Sequence, residues 1–543
     1  MFRIKEFFNY YPISILLISL LFLIKTLYLS FFITPFSGIP DEIGHFAYVQ
    51  DIANGKGIPV LSISSDNKSV IGADIMGYIE NTTNARPAYN WIAQHPPIYY
   101  FIAAIPLKIG NWLTNDINIL YRLPRIVSSL SGALLLLVLF STFRTAGLDS
   151  SRATTIAAAV GFIPMISHLS SGTNHDISLF LFCALATYFF TRYIIHRQIR
   201  DCYWSAVWLA VAAGTKIMTP WALLAPMIFI FTLEISEPKR FKHILKLSLI
   251  STSTIMAWMV RNTIYFGNPL YTSGTDRKPG LDVPLQQNFL DFIQTQSVFD
   301  RTIQWFYGMF GHLGPGSEDF FLEYDKFPRH IKFSIIAADG FSYSSFLLLL
   351  SITACICTIY ISILLWNIYH EKSKQFKNNS LISWINACLN KDYYKFPLLA
   401  IFFLTAIFFA AFLMLTGATS LNFISFLPVS ISIFLGISAI PMIFYTTDNV
   451  DRIALYGFII TLFFGSIFLY HIYSGFLIDG SVPALQGRYF YPIIPLATLS
   501  VSIALSRLKV SRILINSAVV FLACSELYVF IDQVIPFYLK YYP

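Results

Sequence analysis

Charge is scarce in this chain. Only 12% of its 543 residues are Asp, Glu, Lys or Arg, while 56% are hydrophobic and 17% aromatic, a balance outside the soluble globular range and inside that of membrane proteins. Long polar linkers and low-complexity tracts are also missing, which excludes a string of independent soluble domains. The cysteines Cys183, Cys202, Cys355, Cys357, Cys388 and Cys524 lie mostly within apolar runs, and none makes a metal or redox spacing. No disulfide framework follows. There is no P-loop, GxGxxG, nucleophile elbow, HExxH or CxxC in a suitable context, which argues against an ATP-driven pump.

What fills the chain instead is a series of apolar runs. A helix needs about 20 such residues to cross roughly 30 Å of hydrocarbon, and the sequence predicts spans near 13–34, 122–143, 153–171, 175–195, 203–217, 219–234, 244–265, 341–367, 396–416, 420–445, 453–474, 489–506 and 512–534. The first is too long for a signal-peptide core and is followed by many more, so it reads as an uncleaved anchor. The fifth and sixth are short halves of one apolar stretch, broken at Gly214-Thr215-Lys216 and Pro220, and such breaks at membrane depth usually line a cavity. Lys25, near the middle of the first span, is either functional or snorkels along its own stem.

The net charge of +8 resembles a nucleic-acid signal until its placement is considered. With the N-terminus in the cytoplasm, strict alternation puts Arg144, Arg152, Arg192, Arg197, Arg200, Lys239, Arg240, Lys242 and Lys246 inside, together with Lys372, Lys374, Lys377, Arg507, Lys509 and Arg512, as the positive-inside rule requires. No nucleic-acid partner is implied. The outer side then holds loops at about 35–121 and 266–340 and a short turn ending at Arg488.

All candidate motifs fall on that outer side. Pro40-Asp41-Glu42-Ile43-Gly44-His45 follows the first span, with Pro suited to a helix start, and the expected helix, Asp41 to Ala53, puts Asp41 and His45 one turn apart. A carboxylate there can serve as general base or metal ligand, or it is an ordinary acidic helix start. His95-Pro96-Pro97 opens an apolar helix from an extended approach, so His95 either meets substrate or only punctuates the chain. In the turn Ser170 to Asp176, Asn174 and Asp176 serve as substrate ligands or as caps of the next span. Lys216, Arg261 and Arg488 are cations at the outer boundary, suited to a lipid phosphate or to anchoring in headgroups. Trp91, Trp305, Tyr99 and Tyr100 stack on sugars or sit at the interface.

In order and sidedness these motifs resemble the bacterial GT-C glycosyltransferase superfamily, most closely the membrane family called domain of unknown function 2142. The likeness is carried by Pro40–His45, His95–Tyr100, Asn174–Asp176, Gly214–Lys216, Arg261–Pro269 and Gly487–Pro495. The resemblance implies an all-α polytopic bundle of about 13 transmembrane helices with helical outer loops, residues 1–340 forming a common module and 341–543 a variable set of helices. It implies transfer of a hexose or pentose, with inversion, from a polyprenyl-phosphate donor to a glycan, lipid or protein acceptor on the outer face of the bacterial cytoplasmic membrane. Asp41 takes the place of the catalytic acidic residue with Glu42 beside it, and His45, His95, Asn174, Asp176, Lys216, Arg261 and Arg488 the place of substrate ligands. A clear DxD is missing from the first loop, so no cofactor is firmly expected, though a divalent metal on Asp41 with His45 or Asp176 is compatible with the residues. Two other functions fit the same layout: a flippase of lipid-linked glycans, which needs no base at Asp41, and a lipid-linked glycan polymerase or ligase.

Overall fold

The computed structural model describes residues 10–61, 70–80, 84, 87–216, 218–236, 239–272, 275, 285–311, 335–338, 340–375, 420–480, 482 and 485–541. Its helices include α1 (Ile13–Tyr28), α2 (Glu42–Ala53), α3 (Ile98–Leu113), α4 (Arg125–Thr145), α5 (Ser150–Gly161), α6 (Pro164–Ser170), α7 (His175–His196), α8 (Ile199–Ala213), α9 (Met218–Glu234), α10 (Arg240–Phe266), α11 (Val298–Tyr307), α12 (Gly340–Gln375), α13 (Ser420–Met442), α14 (Asn449–Asp479), α15 (Ile494–Arg507) and α16 (Arg512–Tyr528). Two short antiparallel strand pairs, Val70–Ile71 with Ala88–Tyr89 and Met309–Gly311 with Ile335–Ala337, brace the loops.

This is a multi-pass membrane protein. Among the described residues eight helices are long and apolar enough to cross a bilayer, or nine if α5 and α6 count as one span bent by 71°. That count is of the described residues alone, and the thirteen runs of the sequence also include stretches outside them. Pro164 opens α6, and the chain breaks at Ile163 because the residue before proline leaves the helical region. The runs at 203–217 and 219–234 form the short helices α8 and α9, of 15 and 17 residues, and the run at 396–416 lies outside the described residues.

The ends of the helices sort by chemistry. At one end, Arg152 donates to the carbonyl of Val510 and the hydroxyl of Ser506, Arg512 pairs with Asp149, Arg197 and Arg452 converge on Glu234, and Arg507 reaches Asp448 and Asp451. The basic turns used to assign the inner side are therefore neighbours in space. At the opposite end lie α2, α3 and the turns before α7, α9 and α15, and these bring the candidate motifs together.

Lys25 does not snorkel. Its Nζ lies 2.7 and 2.8 Å from the two carboxylate oxygens of Glu526 on α16, and Ser167 of α6 donates to the same carboxylate. Three helices distant in sequence thus neutralise one another inside the bundle. That is the usual solution for ionisable groups at membrane depth.

Candidate active site

The first span runs from α1 through one π-helical turn, Leu29–Ile33, and the freed carbonyls there need donors. Arg125, at the start of α4 and fully buried, supplies them. Its Nη1 donates to the carbonyls of Ser30 and Thr34 and its Nη2 to that of Pro35, while Nε and Nη2 grip Glu42 at 2.7 and 2.8 Å. Glu42 also accepts from the backbone N–H of Thr173 at 2.8 Å and of Ser37 at 3.0 Å. All its acceptor capacity is spent on structure. Glu42 ties the loop after the first span to the turn before α7 and has no face open to a substrate.

Asp41 differs from its neighbour in almost every respect. Helix α2 begins at Glu42, so Asp41 stands outside the helix expected to include it, in the left-handed region at φ 59°. Asp tolerates this conformation better than bulkier residues, at a cost of order 1–3 kcal/mol that persists only where the surroundings impose it. Its carboxylate makes no cap bond to α2. Instead it accepts from the indole N–H of Trp91 at 3.2 Å and meets Arg488 Nη2 at 3.5 Å. Its side chain is 24% exposed, against 0% for Glu42 and 8% for Asp176, so of these three carboxylates it alone has open space in front of it. Burial by the surrounding protein pushes its carboxyl above the usual carboxylate range, opposed by Arg488, the Trp91 hydrogen bond and Lys216.

The close approach of the loops explains the glycines of the motifs. A Cβ on Gly44 would lie 2.6 Å from Ile92 Cγ1, so only glycine lets α2 pack on the 3-10 turn Trp91–Gln94 that presents Trp91. Likewise a Cβ on Gly487 would stand 2.0 Å from the carbonyl oxygen of Thr302 in α11. That contact seats the turn carrying Arg488.

Asp176 is the hub of the cationic side. Asn174 caps α7, accepting from the Asp176 N–H at 2.6 Å, and its Nδ2 reaches the carbonyl of Pro40 at 3.1 Å; it is a cap and also a tie to the Asp41 loop. The carboxylate of Asp176 in the first turn then meets Lys216 Nζ at 2.8 Å, His175 Nε2 at 3.1 Å and Arg488 Nε at 3.5 Å. Lys216, only 8% exposed, sits in the break between α8 and α9 with its ammonium 4.8 Å from the ring centre of Tyr489. Arg488 is 4% exposed and held by Gln486 Oε1 at 2.9 Å, and its Nη1 has no hydrogen-bond partner among the described residues. Two cations thus converge between two carboxylates, with one guanidinium donor left over.

Beside them is a knot of aromatic and imidazole rings. His95 has the extended backbone expected before the two prolines, at φ −91° and ψ 146°, and packs edge-on to His175 at 4.7 Å. His45 packs edge-on to His175 at 4.6 Å and shares the Tyr100 hydroxyl with it. Burial and the neighbouring His175 hold both His45 and His95 well below the usual imidazole range, so both are neutral at pH 7.

Arg261 is not drawn into the carboxylate cluster. Its Nη2 donates to the carbonyl of Pro59 at 2.8 Å and its guanidinium covers Trp258 at 4.3 Å, on the flank where Tyr48 feels its charge. Trp305, Tyr99 and Tyr100 are buried in the protein, and Trp91 spends its N–H on Asp41. Residues that no motif singles out are Arg125 and Gln486; a lone Arg at a span boundary reads as an anchor until its partners are known. Among the described residues no group of three His, Cys, Asp or Glu side chains is arranged to hold a metal ion, and Asp176 is engaged by Lys216 and His175.

Residues 94–260 match the family described as dolichyl-phosphate-mannose-protein mannosyltransferase. The matched segment holds His95, Asn174, Asp176 and Lys216. A search of curated proteins gave no match. Among solved structures, ArnT from Cupriavidus metallidurans in the apo state is similar over 90% of this chain and 77% of its own, at 12% identity and a TM-score of 0.34. The same protein bound to undecaprenyl phosphate aligns over 91% and 77%, at 11% identity and a TM-score of 0.31.

Proposed function

We propose that this chain is a membrane glycosyltransferase that moves a sugar from a polyprenyl-phosphate donor to a cell-envelope acceptor on the outer face of the cytoplasmic membrane. The observation that carries the reading is the placing of Asp41. It is the site carboxylate with an open face, and it shares Arg488 with Asp176, whose other cation is Lys216. A base beside paired cations is what an acceptor hydroxyl and a leaving lipid phosphate require. The match of residues 94–260 to a mannosyltransferase family supports the reaction class, and the bundle of apolar helices lets the donor keep its tail in lipid.

In this mechanism Asp41 takes the proton of the acceptor hydroxyl as its oxygen attacks the anomeric carbon, with inversion. The bond from that carbon to the phosphate oxygen breaks, and the leaving phosphate is held by Lys216 and by Arg488, whose Nη1, without a partner among the described residues, is a ready donor to a phosphate oxygen. His45, His95 and Asn174 line or tie the acceptor side, and Arg261 flanks it. Glu42 has a different part from Asp41: with Arg125 it fixes the loop that strains Asp41 into place. The affinity to domain of unknown function 2142 and a hexose or pentose as the transferred sugar belong to the same proposal.

Mass spectrometry of surface glycans and lipid carriers, with and without the gene, tests it. Loss of one sugar from one glycan, with its lipid-linked donor accumulating, is the expected result. Loss of a whole surface glycan, with its complete lipid-linked form trapped inside, would favour a flippase instead.

A further inference from the structure

The chain of rings beside the carboxylates has a direction that its own atoms fix. His175 Nε2 lies 3.1 Å from Asp176 Oδ1, within ion-pair distance, and a bare ring lone pair at that distance would be repelled by the carboxylate, so that nitrogen carries the hydrogen. An imidazolium at His175 would put a third cation next to Lys216 and Arg488, which already face Asp176, so the ring is neutral and its Nδ1 is an acceptor. Tyr100, 2.9 Å away, donates to it. A phenol has one hydrogen. At its second contact, 2.9 Å to His45 Nδ1, the Tyr100 oxygen therefore accepts and His45 Nδ1 donates.

What remains on His45 is Nε2, with a lone pair and no hydrogen-bond partner among the described residues. Burial and the neighbouring imidazoles keep the ring neutral, so the second nitrogen does not pick up a proton. Tyr100 is itself clamped, stacked on Tyr48 with ring centres 3.8 Å apart and planes 8° apart, and the Tyr48 hydroxyl donates to the carbonyl of His95. The second partner of each imidazole decides which nitrogen is free; here a carboxylate sets that choice two residues away.

We propose that Tyr100 and His175 are positioning residues that fix His45 in its Nδ1–H tautomer, so that Nε2 accepts a hydrogen bond from a hydroxyl of the bound sugar. This rests on the glycosyl-transfer reading for the identity of the ligand but not for the tautomer. A site built to accept from a hydroxyl rejects an analogue that lacks it, because the buried acceptor is then left unpaired. His45 is thus a specificity determinant, separate from proton transfer at Asp41.

The full-length protein, labelled with 15N-histidine in lipid, is examined by solid-state NMR at neutral pH. Wild type should show a neutral imidazole protonated at Nδ1 that disappears in His45→Gln. In Tyr100→Phe, which keeps the stack on Tyr48, that signal should move to the Nε2–H form in a protein that still elutes as a folded, monodisperse species. A His45 signal in wild type that is Nε2–H or doubly protonated overturns the proposal. In a strain lacking the gene, glycan product restored by His45→Gln, which keeps an acceptor oxygen near the Nε2 position, should exceed that of His45→Leu by about tenfold. Equal loss in the two variants also overturns it. If wild type itself restores no glycan, the glycosyl-transfer reading fails and the sugar hydroxyl with it, whereas the NMR result still decides the tautomer.

Discussion

Arg125 and Glu42 form a two-pronged ion pair, 2.7 and 2.8 Å long, with neither side chain exposed to any degree. They are 83 residues apart and join the end of the first span to the start of α4. Because Glu42 also receives two backbone N–H groups, the pair sets the path of the chain on both sides of Asp41.

Removing one member of such a pair strands a buried charge, which costs about 3–5 kcal/mol. Arg125→Leu and Glu42→Ala should therefore lower the melting temperature of the purified protein sharply and cut its folded yield. Glu42→Ala that melts like wild type and loses only turnover would assign Glu42 to the chemistry instead.

Asp41→Asn keeps the shape of the side chain, its tolerance of the left-handed backbone and an acceptor for Trp91. Folding and elution should be unchanged while turnover falls by a factor on the order of 10²–10⁴, as expected when a general base is lost. Near-normal turnover in a well-folded Asp41→Asn protein would remove Asp41 from that role.

The same residue sets the pH dependence. Burial raises the Asp41 carboxyl, and the base works only when ionised, so activity should be full above its raised pKa and fall as pH drops through it. The acid limb should begin at higher pH than for an ordinary carboxylate. Arg488 opposes the rise, so Arg488→Gln should move the limb further toward neutral; a limb that stays put in that variant would show that another group controls it.

Lys25 and Glu526 should behave as a unit without a part in turnover. Lys25→Met or Glu526→Gln alone leaves a charge or an unmet donor inside the bundle and should reduce folded yield, while the double variant should recover it. The check is a double-mutant cycle on melting temperature with turnover followed alongside; loss of turnover in a stable double variant would reveal a functional role.

Sidedness can be read directly. A cysteine at Lys56, exposed on the loop after α2, should react with an impermeant reagent from outside, and one at Lys509, in the turn between α15 and α16, should not. Labelling in the opposite sense would invert the bundle and the proposed site with it.

The polytopic character and the grouping of motifs at one end were legible in the residue order alone, since apolar runs and basic turns are local signals. His95 was legible as an extended residue ahead of a helix because two prolines restrict the backbone whatever surrounds them. Asp41, Asp176, Lys216 and Arg488 stood out because polar residues are few in so apolar a chain. Their division of labour was not legible: Asp41 and Glu42 are adjacent and chemically alike, yet one faces open space and the other is enclosed by Arg125, Thr173 and Ser37. The same holds for Lys25, whose partner lies 501 residues on, and for the His45 tautomer, set by a carboxylate in another helix. Such assignments depend on which helices pack side by side. A hydrogen bond or ion pair is specified by distances of a few tenths of an ångström, and only the folded bundle determines those.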